Sequence, residues 1–206
     1  YLGNSGGVST TPAWTFEGDQ TAAHLGFSVS TAGDLNGDGF ADVAIGAYSY
    51  DATALEEGRV FIFHGNAAPG LPAAPSFQVG LGSASAAYGY AVSTAGDLNG
   101  DGYADLVVGA RNYGNGQATE GAFHVLLGGT NGVNGTMHLL VESNVVQANL
   151  GGAVATAGDM NGDGFADIVA AAPAYSANGL TGGIVIVGYG AGSVPSVQVA
   201  ELRAGD

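Results

Sequence analysis

With 206 residues, 46% of them apolar, the chain has enough material for a hydrophobic core and is not a disordered polymer. Its 18 acids stand against three arginines and no lysine, a formal charge of −15, which excludes nucleic acid as a partner because a phosphate backbone is held by clustered Lys and Arg. The absence of cysteine excludes a disulfide framework and thiolate metal sites, and no apolar run approaches the ~20 residues of a membrane helix.

The 38 glycines and six prolines are interleaved with Val, Ile, Phe and Tyr, a composition of short strands and tight turns. The chain begins at Tyr1 without a methionine or leader pattern and so reads as a processed or excised piece. Residues 1–3 match the close of a third strand, and residues 14–17, with Trp14 and Phe16, match a fourth. Residues 1–24 are therefore read as the end of a preceding unit and a linker. Residues 25–32 then lead through Gly33 into a loop starting at Asp34, followed by the apolar run 43–47, a segment at 58–65 and an alternating one at 76–79. The same order recurs as 88–95, a loop from Asp97, then 106–110, 121–128 and 137–141. It recurs again as 150–157, a loop from Asp159, then 168–173, 183–188 and 196–199.

The loops are offset by 63 and 62 residues, so one unit is copied three times, over 25–87, 88–149 and 150–206. Short apolar runs flanked by turn formers are buried strands, since a helix would need roughly ten residues or more. Four short strands per unit is the make-up of a β-propeller blade. The fold class is therefore all-β: a propeller of four-stranded blades of about 62 residues, with three full blades plus part of another in this chain. A closed ring takes about four to eight blades, so other segments, or other copies of the chain, are expected to complete it.

In each unit the loop reads Asp-x-Asn-Gly-Asp-Gly-x-x-Asp. Alternate positions of a tight loop face inward, which gathers Asp34, Asn36, Asp38, the Phe40 carbonyl and Asp42. The second loop offers Asp97, Asn99, Asp101, the Tyr103 carbonyl and Asp105; the third offers Asp159, Asn161, Asp163, the Phe165 carbonyl and Asp167. Oxygen-only sets with three carboxylates suit Ca²⁺, a hard cation that takes about six to eight oxygens. Mg²⁺ keeps more water, and zinc or copper prefers nitrogen or sulfur. Three calcium sites are expected, each pinning the turn between two strands. Gly39, Gly102 and Gly164 at position 6 supply the sharp bend. An EF-hand is excluded, because position 12 is Ile45, Val108 or Ala170 instead of Glu. One Asn-Gly-Asp-Gly alone is an ordinary turn, but three copies with acids also at positions 1 and 9 would crowd unneutralised carboxylates.

Gly-x-Ser/Ala-Val before the loop, the loop itself, and Val-x-x-Gly-Ala after it together resemble the FG-GAP repeat of integrin α-subunit propellers and of many secreted bacterial proteins. The resemblance covers nearly the whole chain. It implies that the loop joins the first two strands of a blade and binds Ca²⁺, that the usual ring has seven blades, and that the protein serves adhesion or ligand binding outside the cell. The "FG" here is Leu25-Gly26, Tyr88-Gly89 and Leu150-Gly151. The "GAP" is Gly46-Ala47-Tyr48, Gly109-Ala110-Arg111 and Ala171-Ala172-Pro173, departures that leave the calcium residues intact.

The function expected from these features is an extracellular or cell-surface calcium-binding module with a protein or glycan ligand, in which the connections 48–57 and 111–120 gather on one face. The alternatives are a structural unit of a surface layer, stalk or filament, in which copies complete one another, and a propeller part of a secreted hydrolase. Catalysis is not expected. His24, His64, His124 and His138 have no Ser or Cys in a nucleophile setting, and the obvious carboxylate pairs belong to the loops. His64 and His124 read as packed or edge residues of third strands. Glu17, Asp19, Asp51, Glu56, Glu57, Glu120 and Glu142 are expected on a solvated surface, and Asn134-Gly135-Thr136 is the one glycosylation sequon.

Overall fold

A computed structural model describes residues 3–4, 7–68, 70–133, 138–177, 180–192 and 198–203. A two-residue hairpin pairs β1 (Gly3–Asn4) with β2 (Gly7–Val8). The first repeat then forms β3 (Leu25–Gly33), β4 (Asp42–Ala47), β5 (Arg59–Phe63) and β6 (Phe77–Val79), antiparallel and hydrogen-bonded in that order. The second forms β7 (Tyr88–Gly96), β8 (Asp105–Ala110), β9 (Ala122–Leu126) and β10 (His138–Glu142) in the same way. In the third, β11 (Ala153–Gly158) and β12 (Asp167–Ala172) are followed by a small hairpin, β13 (Ser176–Ala177) and β14 (Leu180–Thr181), absent from the sequence reading. The sheet then resumes with β15 (Ile184–Tyr189) and β16 (Gln198–Arg203). Three up-and-down four-stranded sheets, one per repeat, are three propeller blades. No helix among the described residues is long and apolar enough to cross a membrane.

Because side chains alternate along a strand, each central strand has two apolar faces and each sheet can be sandwiched. Ala44, Val60 and Ile62 of the first sheet pack on Tyr88, Val92, Leu106 and Val108 of the second. The second sheet turns Val107, Phe123 and Val125 the other way, onto Ile168, Ala170, Ile184 and Ile186 of the third. The first strands β3, β7 and β11 are neighbours in space and hold the three sheets at their inner edges. Two motif glycines set how closely the sheets approach. A Cβ on Gly46 would overlap the Gly89 carbonyl oxygen, and one on Gly109 would overlap that of Gly151. The glycine of "GAP" in one repeat thus touches the glycine of "FG" in the next, main chain against main chain.

Three expectations are corrected. Residues 14–17 form no strand. They are anchored by side chains lying on the outward face of the first sheet, where Trp14 meets Phe63 edge-on at 4.9 Å and donates from Nε1 to the Pro72 carbonyl at 3.0 Å. Glu57 and Glu120 are buried, not solvated. Each carboxylate fastens the connection between the second and third strands, Glu57 accepting from Thr53 Oγ1 and the Ala54 N–H and Glu120 from the Asn115 N–H; Glu120 also accepts from the Asn144 N–H just past the fourth strand. The fourth strand of the third repeat runs to Arg203, past the anticipated end at Val199. His124 is packed as anticipated, sharing a 2.8 Å hydrogen bond with the Tyr88 hydroxyl. Tyr1, Leu2, the sequon, Met137, Ser196 and Val197 lie outside the described residues.

Candidate metal centre

Each loop leaves its first strand through a bulge. The ladder slips between Thr31 and Gly33, between Thr94 and Gly96, and between Thr156 and Gly158, and each threonine Oγ1 accepts from the N–H of the glycine two residues on. The extra residue bends the chain into the turn between the first and second strands, which is where the resemblance placed the loop.

Asp34 is the hub of the first loop. Its Oδ1 accepts from the N–H groups of Gly37 and Asp38 at 2.7 and 3.1 Å, and its Oδ2 from Gly39 at 2.8 Å. Gly39, Gly102 and Gly164 have φ of 87°, 88° and 93°, the left-handed bend anticipated at position 6. Asn36 Oδ1 accepts from the Asp38 N–H at 3.0 Å, and Asn36 Nδ2 donates to Asp38 Oδ2 at 2.9 Å. The other oxygen of Asp38, Oδ1, accepts from the Phe40 N–H at 2.9 Å. Asp97, Asn99 and Asp101 make the same set of bonds. So do Asp159, Asn161 and Asp163.

Position 9 is built differently. Asp42, Asp105 and Asp167 are fully buried. Asp42 accepts from the N–H groups of Leu35 and Gly65, both at 2.8 Å; Asp105 from Leu98 at 2.8 Å and Gly128 at 2.9 Å; Asp167 from Met160 at 2.7 Å and Gly190 at 3.0 Å. This aspartate staples its loop to the glycine that closes the third strand, a second role that the sequence reading missed. Burial pushes Asp42 above the usual carboxylate range despite its two N–H bonds. Burial also pushes Asp105 up to about 7, and the charges of Asp101 and Asp97 add to the rise. Exposed Asp38 moves the other way, lowered by the Phe40 N–H and the Asn36 amide.

Among the described residues, no three acidic or imidazole side chains stand close enough to cage a metal as they are. Positions 1, 3 and 5 of each loop are linked by hydrogen bonds and turn oxygens onto the loop's own N–H groups, while position 9 also accepts from the glycine after the third strand. A carboxylate oxygen carries two lone pairs, so these bonds leave acceptor capacity for an ion. The donor set is all oxygen, and burial raises two of the position-9 acids, Asp42 and Asp105. Both features fit Ca²⁺.

The next repeat clamps each of the first two loops. The Asp34 and Leu35 carbonyls accept from the N–H groups of Ala104 and Gly129, and those of Asp97 and Leu98 from Ala166 and Ala191. Gly37 lies under the Tyr103 ring and Gly100 under that of Phe165, so neither has room for a Cβ. The aromatic at position 7, anticipated only for its carbonyl, therefore covers the loop before it. Leu35 and Leu98 are buried in consequence, whereas their counterpart Met160 is 53% exposed.

A second constellation lies at the other end of the first strands. Phe27, half-exposed, meets Tyr48 at 4.7 Å and Tyr90 at 4.9 Å, and His24 stacks on Tyr48. The Arg111 guanidinium stands 4.9 Å over the Tyr90 ring and donates to the Tyr48-facing cluster through Tyr90 Oη at 2.8 Å. The connections beginning at Tyr48 and Arg111 thus start on one face.

The FG-GAP repeat family model matches residues 25–63, 88–126 and 150–195, more than half of the chain. Integrin alpha-5 of Xenopus laevis is 30% identical over 190 residues, covering 84% of this chain and 17% of that protein. Phosphatidylinositol-glycan-specific phospholipase D of Homo sapiens is 32% identical over 193 residues, covering 88% of the chain and 22% of that protein. Integrin alpha-V of Gallus gallus is 29% identical over 177 residues, covering 81% and 16%. The chain spans less than a quarter of the length of these relatives.

Proposed function

The chain belongs to the FG-GAP repeat family, and from that premise we propose that it is a calcium-stabilised β-propeller module that works outside the cell as a non-catalytic binding unit for a protein ligand. The observation that carries the calcium reading is the loop built three times with the same hydrogen bonds, each time around three aspartates and an asparagine. Asp34, Asn36, Asp38, the Phe40 carbonyl and Asp42 would hold one ion. Asp97, Asn99, Asp101, the Tyr103 carbonyl and Asp105 would hold a second, and Asp159, Asn161, Asp163, the Phe165 carbonyl and Asp167 a third. Bound there, Ca²⁺ would offset the negative charge of each loop's three carboxylates. The position-9 aspartates carry its effect into the sheet, because each also grips the end of a third strand. The binding reading is supported by the aromatic and arginine cluster at the opposite end, where connections of successive repeats meet, and by relatives named as integrin α-subunits.

The test is the melting point and size of the chain in excess Ca²⁺ and in EGTA. An ion bound only by the folded form stabilises it by about 2.7 kcal/mol per site when free ion is a hundredfold above Kd. A higher melting point with a discrete particle is the expected result. An unchanged melting point would sink the calcium reading, and a regular calcium-driven polymer would replace the binding unit with a scaffold.

A further inference from the structure

Residues 16–19 cross the outward face of the first sheet beside the connection that carries Tyr50, and a cavity of about 220 Å³ opens between them. That is smaller than the roughly 300 Å³ at which pockets for whole drug-sized ligands begin, so it suits one side chain. Phe16, Tyr50 and Phe61 wall it, with Phe61 at 5.7 Å from Phe16 and 5.5 Å from Tyr50. Its polar lining includes Glu17, Asp19 and Gln78, and the Tyr50 hydroxyl donates to Asp19 Oδ2 at 3.4 Å. Arg59, 5.3 Å from the Tyr50 ring centre, has its charge answered by Glu57 at 3.7 Å and donates to Gln78 at 3.2 Å. Among the described residues neither Glu17 nor Asp19 has such a partner. Aromatic faces attract a cation through their quadrupole, and carboxylates accept its N–H groups as charge-assisted hydrogen bonds.

We propose that this cavity binds a primary alkylammonium group, the end of a lysine-type side chain on a ligand. The inference rests on reading the chain as a binding unit, but not on calcium, whose loops lie at the other end of β4 from Tyr50. The rings receive the methylene stem, and Glu17 and Asp19 receive the ammonium.

Trp14 is the chain's one tryptophan and stacks on Phe16 at 6.0 Å, which makes its fluorescence a reporter of the cavity. Calcium-loaded protein is titrated with Nα-acetyl-lysine methylamide and with the uncharged norleucine analogue. The expected result is a saturable change with the lysine probe alone, weakened by added salt and at least about tenfold weaker in the Glu17→Gln, Asp19→Asn double variant. Both acids are exposed, so this variant keeps the wild-type melting point. Equal binding of the norleucine probe, unchanged affinity in the variant, or no saturable signal with any probe overturns the proposal. If calcium still raises the melting point in that case, the cavity assignment falls and the calcium reading stands.

Discussion

Calcium binding at the second loop, as proposed, is expected to release a proton from Asp105. Burial holds its carboxyl near 7 in the ion-free chain, whereas a calcium ligand must be ionised. At pH 6 about 0.9 of a proton sits on this group, and at pH 8 about 0.1. Loading the second loop at pH 6 therefore expels about 0.9 of a proton, and its apparent affinity is about tenfold weaker than at pH 8. Asp42, its counterpart in the first loop, is shifted in the same direction by the same burial. Calorimetric titration with Ca²⁺ at pH 6, in buffers of different ionisation enthalpy, reads the proton count from the dependence of the observed heat on the buffer. The stability of the ion-free chain follows the same sign. A carboxyl raised in the folded state binds protons there that the unfolded chain does not hold, so folding is favoured as pH falls from about 7 toward 4 and loses this contribution as pH rises through 7. Heats at pH 6 that do not depend on the buffer would refute the linkage and the burial that underlies it.

Two alanine substitutions separate two uses of glycine. Gly109→Ala drives a methyl into the Gly151 carbonyl and is expected to cost about 3 kcal/mol or more, read as a lowered urea midpoint. Gly102→Ala meets nothing within 4 Å but must hold φ near 88°, for a cost of about 1–2 kcal/mol in the same assay. Tyr103→Ala uncovers Gly37 and is expected to weaken calcium at the first loop severalfold while the second keeps its carbonyl ligand; the amide signals of Gly37 and Gly100, followed against calcium concentration, distinguish the two. Glu120→Gln retains one of the two acceptors that hold Asn115 and Asn144, and thermal melts should show a loss of about 1–3 kcal/mol.

The repeat, the strands and the loop positions were legible because they depend on local chemistry: apolar runs between turn formers, and glycine where φ must be positive. What sequence could not show was which polar groups the third dimension would enclose. Glu57 and Glu120 look like any surface acid until the neighbouring connections fold over them. Position 9 looks like a ligand, and only the register of the third strand shows that Asp42 also binds Gly65. The contacts of Tyr103 on Gly37 and Phe165 on Gly100 join residues 66 and 65 positions apart, one repeat plus a few residues, which the repeat length does not show as contact. Residues 14–17 misled because alternating aromatics suit a strand edge and a sheet face equally well.

The contact of Gly46 with Gly89, repeated by Gly109 with Gly151, makes the array a ruler whose gradations are cut in main chain. Its pitch does not depend on the size of the side chains filling the space between sheets, so the connections at either end can change without altering the step from one sheet to the next. Ala171 stands at the corresponding place in the third repeat. A sheet laid against that side must stand off by the width of a methyl group, which marks this as the place where the spacing of the array can change.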